Sequence, residues 1–468
     1  MGSSLESRFE DYANVMIEAL GHADRAQPAR WYLRGLMLPG TRKSVEPMAA
    51  RVQPQAVRSA HQSMHHLVSA AEWSDTTLLA AVAREVVPVL SPMRKTACYW
   101  IIDDTGFRKY GKHSVGVVRQ YCGQLGKTDN CQVAVSLSLA TKEGSIPLDY
   151  RLYLPKEWAE DKPRCRQAGV PEEIAFATKG EIAWAQIEAA LAAGIPRGAV
   201  LMDAGYGDET AMRDRLREHG LTYAVGIRPA TSVWWGAYQP AVTPAVKGRG
   251  RPRTRVMRDD THQPISVRAL AQALPASSYR TLTWREGTNA ALSSRFARVR
   301  VRAAHAGQAR AEEWLLIEWP KGEAEPTRYF LSTLSDSISF KELVATVKMR
   351  WRIERDYREL KQEVGLGDYE GRNWRGFHHH ASLCIAAYGF LMIERLGSSK
   401  KNAARLQAPA VPEGFLPRGA RPDAATHPVV NRHSALSTRS PHRAASFPMP
   451  VLRQTIRADR WALITQYN

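Results

Sequence analysis

Two short apolar runs in this chain each lead straight into an aspartate, and the elements around them restrict the fold to a mixed α/β sheet. Ala97-Cys98-Tyr99-Trp100-Ile101-Ile102 is an aromatic and β-branched run that stops at Asp103-Asp104, as a buried strand does. Residues 132–139 alternate polar and apolar and predict a second strand, and 146–154 a third. Residues 180–193 carry Trp184, Ile187 and Leu191 on one helical stripe. Ala199-Val200-Leu201-Met202 then forms a strand ending on Asp203, followed by the turn Ala204-Gly205-Tyr206-Gly207, a helix over 208–219 and a strand over 221–227. Three strands, then helix, strand, helix and strand, make a mixed sheet rather than a purely parallel one.

The flanking regions differ in texture. Residues 1–95 read as helical, with Phe9, Tyr12, Val15, Met16 and Ala19 at helical spacing and the same pattern over 74–89. The segment 31–44, aromatic and then basic, reads equally as a DNA-contacting surface or as scaffold with a solvated loop. Residues 229–338 hold candidate strands at 280–285, 296–301, 313–319 and 328–333, a β-rich insertion. A helix follows over 339–362 and an apolar one over 380–396, so that 339–396 returns to the layer begun by 96–228. Residues 397–468 are rich in Ser, Pro, Ala and Arg without periodicity, and read as a basic, loosely ordered tail.

Charge narrows the function classes. The chain carries +19, of which residues 397–468 hold 11 Lys+Arg against 3 Asp+Glu, and residues 247–258 hold 6 against none. Such an excess points to a polyanionic partner, and salt-sensitive association with nucleic acid fits it. No apolar run approaches the ~20 residues of a membrane span, and the N-terminus lacks the basic and apolar regions of a secretory signal. The 5 cysteines are scattered, with no C-x-x-C pair, which disfavours a disulfide framework or structural zinc and fits a reducing compartment. The expected location is therefore cytoplasmic and nucleoid-associated, with no membrane partner.

Chemistry is carried by carboxylates. Asp103 or Asp104 at one strand end, Asp203 at another and Glu354 on the later helix are hard-oxygen donors suited to Mg²⁺, with Mn²⁺ able to substitute. Adjacent strand residues point to opposite faces, so only one of Asp103 and Asp104 can serve a given site. Two such ions ~3.5–4 Å apart activate an attacking oxygen and stabilise a leaving one in phosphodiester displacement. At ~100° per residue, Arg350, Glu354 and Lys361 fall within roughly 40° of one another on a continuous helix, a carboxylate between cations suited to hold phosphate.

These residues resemble the DDE-type transposases of bacterial insertion sequences, in the subgroup with the signature Tyr-x2-Arg-x3-Glu-x6-Lys. The resemblance rests on Asp104-Thr105 after a first strand, on Asp203 with Asp208 beyond it, and on Arg350-x3-Glu354-x6-Lys361. The segments 102–107, 111–117 and 369–380 add to it, and it extends over roughly 30–396. It implies an α/β, RNase H-like mixed-sheet catalytic core with a helical N-terminal domain and a β-rich insertion. It implies Mg²⁺-dependent cleavage and strand transfer of double-stranded DNA, inverted-repeat ends into a target, commonly by cut-and-paste and within a homodimeric complex. Asp104, Asp203 and Glu354 take the positions of the catalytic, metal-holding acids, and Arg350 and Lys361 those of phosphate contacts. The signature's tyrosine position is occupied by Val347, which cannot hydrogen-bond a phosphate. Some members stack a flipped base on an aromatic residue from the strand before this helix, and Tyr329 is the positional candidate.

Weaker signals complete the reading. Lys247-Gly248-Arg249-Gly250-Arg251-Pro252-Arg253 contains the Arg-Gly-Arg-Pro core of an AT-hook; Arg249, Arg251 and Arg253 suit a narrow minor groove or phosphates without sequence preference. His378-His379-His380 cannot converge on one ion from a helix and reads as a helix-start cap or phosphate contact. Trp284-Arg285 reads as a strand end near DNA. Gly205 and Gly207 make no complete phosphate-binding fingerprint. The competing functions are a nuclease of the same fold without strand transfer, a catalytically dead DNA-binding regulator, which the presence of all three acids disfavours, and more distantly a glycoside hydrolase, which leaves the cations around Glu354 unexplained.

Overall fold

The computed structural model describes residues 4–92, 96–236, 256, 262–286, 291–308 and 310–406. The basic segment holding Arg249, Arg251 and Arg253 lies outside them, as does the chain beyond Leu406. The chain divides into two compact units, Met1–Gly397 and Ser398–Asn468.

Five helices come first: α1 (Leu5–Ala19), α2 (Ala26–Met37), α3 (Val45–Val52), α4 (Val57–Ser69) and α5 (Asp75–Leu90). Ser4 and Ser74 cap α1 and α5, each hydroxyl accepting a backbone N–H of the first turn. Phe9, Tyr12, Ala13 and Met16 form the buried stripe of α1, the face their spacing predicts.

The sheet begins with β1 (Tyr99–Arg108), β2 (Val118–Cys122), β3 (Lys127–Ala140) and β4 (Ser145–Leu152). Short helices α6 (Lys156–Glu160) and α7 (Lys162–Gln167) lead to α8 (Lys179–Ala192), which opens on a Thr178/Glu181 capping box. Then follow β5 (Ala199–Met202), α9 (Ala204–Gly207), α10 (Thr210–Glu218) and β6 (Tyr223–Ile227). β3 pairs antiparallel with β1 and with β4, whereas β5 runs parallel to both β1 and β6. The order β4-β3-β1-β5-β6, antiparallel then parallel, is an RNase H-like mixed sheet.

The β-rich stretch continues this sheet. It comprises β7 (Ser232–Trp235), β8 (Ile265–Ser266), α11 (Val267–Ala273), β9 (Arg280–Glu286), β10 (Ala291–Ala303), β11 (Glu312–Trp319) and β12 (Arg328–Ser332). β12 pairs antiparallel with β6, setting Tyr329 against Ile227 and Leu331 against Val225, and β11, β10, β7 and β8 follow outward.

The helix expected over 339–362 is two helices, α12 (Phe340–Lys348) and α13 (Trp351–Gln362). The last carbonyls of α12 are taken up by a tightened turn, Met349 N–H donating to Ala345 and Thr346. α14 (Trp374–Leu406) closes the order and is buried along residues 376–390. Its three histidines face three neighbours, which replaces the expected cap or phosphate role. His378 Nε2 accepts the Leu152 N–H, His379 stacks on Trp73 at 3.6 Å, and His380 Nδ1 lies 2.8 Å from the Tyr32 hydroxyl. Burial lowers all three to about 4, so they are neutral pins between α14, the sheet and the N-terminal helices. Among the described residues no helix is long and apolar enough to cross a membrane, and all five cysteines are buried free thiols.

Candidate active site

Strand register decides which acids can meet. In β1, Asp103 lies opposite Ser136 of β3 and Asp104 opposite Val135. Residues directly opposite in an antiparallel pair share a face. The Ser136 hydroxyl is 2.8 Å from that of Tyr357 on α13, so Asp103 shares the face that α13 covers. Asp104 takes the other face, where the first residue of α8 reaches it: Lys179 Nζ donates to Asp104 Oδ2 at 2.7 Å. The parallel pairing of β1 with β5 runs Tyr99 to Ala199, Trp100 to Val200 and Ile101 to Leu201. Carrying that register two residues further sets Asp203 level with Asp103.

Asp203 caps α9, its Oδ1 accepting the Gly205 N–H at 2.8 Å and the Tyr206 N–H at 3.4 Å. Gly207 permits the close seat of this turn on β6, because a Cβ there would fall 2.6 Å from that of Val225. The buried Tyr206 hydroxyl donates to Asp104 Oδ2 at 3.3 Å.

The break between α12 and α13 aims Arg350 at the sheet. Its Nη1 donates to Asp103 Oδ2 at 2.6 Å and its Nη2 to Glu354 Oε1 at 3.3 Å. Burial raises the Asp103 carboxyl to about 7, with Asp203 and Asp104 adding to the effect and Arg350 opposing it. Glu354 is 62% exposed, so it can turn toward the strand ends without unpacking the helix.

The expected residues divide accordingly. Arg350 joins Asp103 to Glu354 and the register sets Asp203 level with Asp103, whereas Asp104 pairs with Lys179 and Tyr206. Lys361 binds into the protein: its Nζ donates to the Gly106 carbonyl at 2.8 Å and to Gln124 Oε1 at 3.1 Å, and burial lowers it to about 8. Tyr329 is 2% exposed in the middle of the sheet, and its hydroxyl donates to the Pro326 carbonyl, so it has no face open to a DNA base. Sequence reasoning passed over Lys179 and Tyr206, whose approach to Asp104 depends on long-range packing. Trp351 was also passed over; it is flanked by the guanidinium of Arg285, from β9, at 4.0 Å and that of Arg352 at 4.6 Å.

The donor chemistry fits a hard divalent cation. Asp103 on β1, Asp203 after β5 and Glu354 at the start of α13 are all carboxylates, the oxygen donors such an ion prefers. Among the described residues, no three His, Cys, Asp or Glu side chains are gathered closely enough to hold an ion; Arg350 stands between Asp103 and Glu354.

Residues 15–291, more than half of the chain, match the family model of the DDE superfamily endonuclease. The match contains Asp103, Asp104 and Asp203 and ends before α13, so the position of Glu354 rests on the geometry above. The chain is also 32% identical over 168 residues to a probable transposase for insertion sequence element IS701 from Microchaete diplosiphon. That segment is 36% of this chain and 40% of the relative's length. With an RNase H-like sheet, Asp103 within one of its two central parallel strands, Asp203 just past the end of the other and the family model running through both of them, the chain belongs to the DDE superfamily of endonucleases.

Proposed function

We propose that this protein is an insertion-sequence transposase whose metal-holding carboxylates are Asp103, Asp203 and Glu354. The observation that carries the reading is the level placement of Asp103 and Asp203 on parallel strands, with Arg350 bridging Asp103 to Glu354. The relative described as a probable transposase supports the direction of the reading over the segment it shares.

Mg²⁺ is the proposed cofactor, with Mn²⁺ able to substitute; bound there, it supplies Lewis acidity and a lowered pKa for an attacking water or 3′-hydroxyl. The chain's own contribution is positional and electrostatic. Asp103 within β1 and Asp203 just past β5 fix two donors, and the exposed Glu354 supplies a third. Arg350, released from Asp103, turns to a phosphate of the bound strand. Lys179 holds Asp104 on the opposite face of β1, so the adjacent acid adds no second negative group to the reacting face. The substrate is double-stranded DNA, both the inverted-repeat ends of the element and its target, in a homodimeric complex. Nicking, cleavage of the second strand at each end and strand transfer together give cut-and-paste movement. The N-terminal helices and the β-rich stretch form the remaining walls of the DNA path.

The test uses the full chain, Mg²⁺, and DNA bearing the element's own ends, before and after pre-cutting. Cleavage together with joining of pre-cut ends to a target plasmid is expected, and both should be lost in Asp203→Asn. Cleavage without joining would favour the nuclease reading, and cleavage undiminished in Asp203→Asn would overturn the site.

A further inference from the structure

We infer that the outer end of the three-stranded antiparallel ribbon β2-β3-β1 is a nucleic-acid contact surface, with Tyr110 as a stacking platform for an unpaired base. This rests on the proposal that the substrate is DNA, and it assigns a second contact region beyond the carboxylates. Tyr110 is 90% exposed and Tyr121 64%, large ring exposures for a folded protein. The Arg108 guanidinium lies 5.0 Å from the Tyr110 ring centre. Arg119 and Tyr121, two residues apart on β2, share one exposed face, and Lys112 and Lys127 are exposed nearby in sequence.

Charge and rigidity both favour this use. Of the cations Arg108, Lys112, Arg119 and Lys127, only Arg108 makes an ion pair among the described residues, with Asp129 at 3.2 Å. The loop bearing Tyr110 is tied down through its backbone. Asn130 Nδ2 donates to the carbonyls of Lys109 and Gly111, and Val115 N–H donates to the Arg372 carbonyl. Lys361 binds Gly106 and Gln124, joining the ribbon to α13. A fixed loop presents an aromatic face and unneutralised cations without an ordering cost on binding. Exposed rings interleaved with cations suit a strand whose phosphates meet the charges and whose base meets the ring. The same β1 carries Asp103, so a strand lying along this ribbon runs toward the carboxylates.

The test is fluorescence anisotropy of the full chain with a blunt duplex of arbitrary sequence and with the same duplex carrying one central unpaired thymine. A triple variant Lys112→Glu, Arg119→Glu, Lys127→Glu should weaken binding to both probes and flatten the salt dependence by close to one unit for each phosphate no longer neutralised. Tyr110→Ala should leave the blunt duplex unaffected and bind the bulged one about tenfold more weakly, with Tyr110→Phe retaining the preference. Thermal melting of each variant checks the fold, which these exposed side chains should leave intact. If the wild type binds but the triple variant keeps its affinity and salt slope, or Tyr110→Ala keeps the preference, the surface is misassigned and the DNA reading stands. If the wild type binds neither probe, the DNA reading fails with it.

Discussion

The Asp103 carboxylate takes a 2.6 Å hydrogen bond from Arg350, while the next residue along the chain, Asp104, takes a 2.7 Å hydrogen bond from Lys179. One step along a strand exchanges the faces, so two chemically identical neighbours serve two environments. The first prediction separates them. Asp103→Asn should reduce metal-dependent strand cleavage by more than the roughly 10–100-fold typical of a residue that only supports a metal ligand, and Asp104→Asn should stay at or below that range. Single-turnover nicking rates of the two variants decide it. Equal losses, or the larger loss at Asp104, would move the assignment to the α8 face.

Arg350 holds the place of positive charge between Asp103 and Glu354, and this predicts a response to metal that needs no turnover. Mg²⁺ or Mn²⁺ should raise the melting temperature, since a ligand at a hundredfold its Kd stabilises by about 2.7 kcal/mol. Arg350→Gln leaves Asp103 beside Asp203 without its cation, so the variant should melt lower without metal and show a larger rise with it. Asp103→Asn should abolish most of the rise. Melting curves indifferent to either ion in the wild type would argue against a carboxylate metal centre.

How far the site was legible follows from the range of each interaction. The strands carrying Asp103-Asp104 and ending before Asp203 were readable because burial and alternation are local signals, but β1 does not stop at its aspartates as expected: it stays paired with β3 as far as Arg108. The choice between Asp103 and Asp104 was not readable, because it depends on the pairing of β1 with β3 and on which helix covers each face. The helical-wheel argument for Arg350, Glu354 and Lys361 assumed one continuous helix. The break at Met349 and Arg350 still sends Arg350 toward Glu354; Lys361 shares the unbroken α13 with Glu354 but lies two turns further along, where it binds Gly106 instead. Tyr329 was readable as a strand residue; its burial is a consequence of β12 pairing with both β6 and β11. The stretch expected as an insertion is strand-rich as read, and only its pairing with β6 makes it part of the same sheet.

Asp356 predicts a pH dependence of stability away from the reacting face. It is buried on the inner side of α13, accepting from Ser145 at 2.7 Å and Tyr388 at 3.0 Å, and burial raises it to about 7. An unfolded aspartate titrates near ~3.9. Between these values the folded state keeps a proton that the unfolded state has lost, so this group's stabilisation is complete below the unfolded pKa and is lost as pH rises through the folded one. Asp356→Asn removes the titration and keeps an acceptor for both hydroxyls. Its urea midpoint relative to wild type should therefore improve from about pH 5 to about pH 8. A constant difference across that range would mean that Asp356 stays ionised when folded.

Val347 stands where the family signature has tyrosine, and its surroundings predict that restoring the signature residue will not help. Val347 is 4% exposed and lies on the buried face of α12 with Leu343 and Val344. A hydroxyl-bearing ring at that position must either displace packed neighbours or bury an unpaired polar group. Overpacking of this kind costs about 1–3 kcal/mol. Val347→Tyr should accordingly unfold at lower denaturant, with no gain in duplex affinity, because the break after α12 separates residue 347 from the axis of α13 that carries Glu354. Wild-type stability combined with tighter DNA binding would show that the ring escapes to the surface and recovers the phosphate contact. The expected outcome is the opposite: with the tyrosine contact absent, Arg350 and the exposed cations of the β2-β3-β1 ribbon are left to hold the strand.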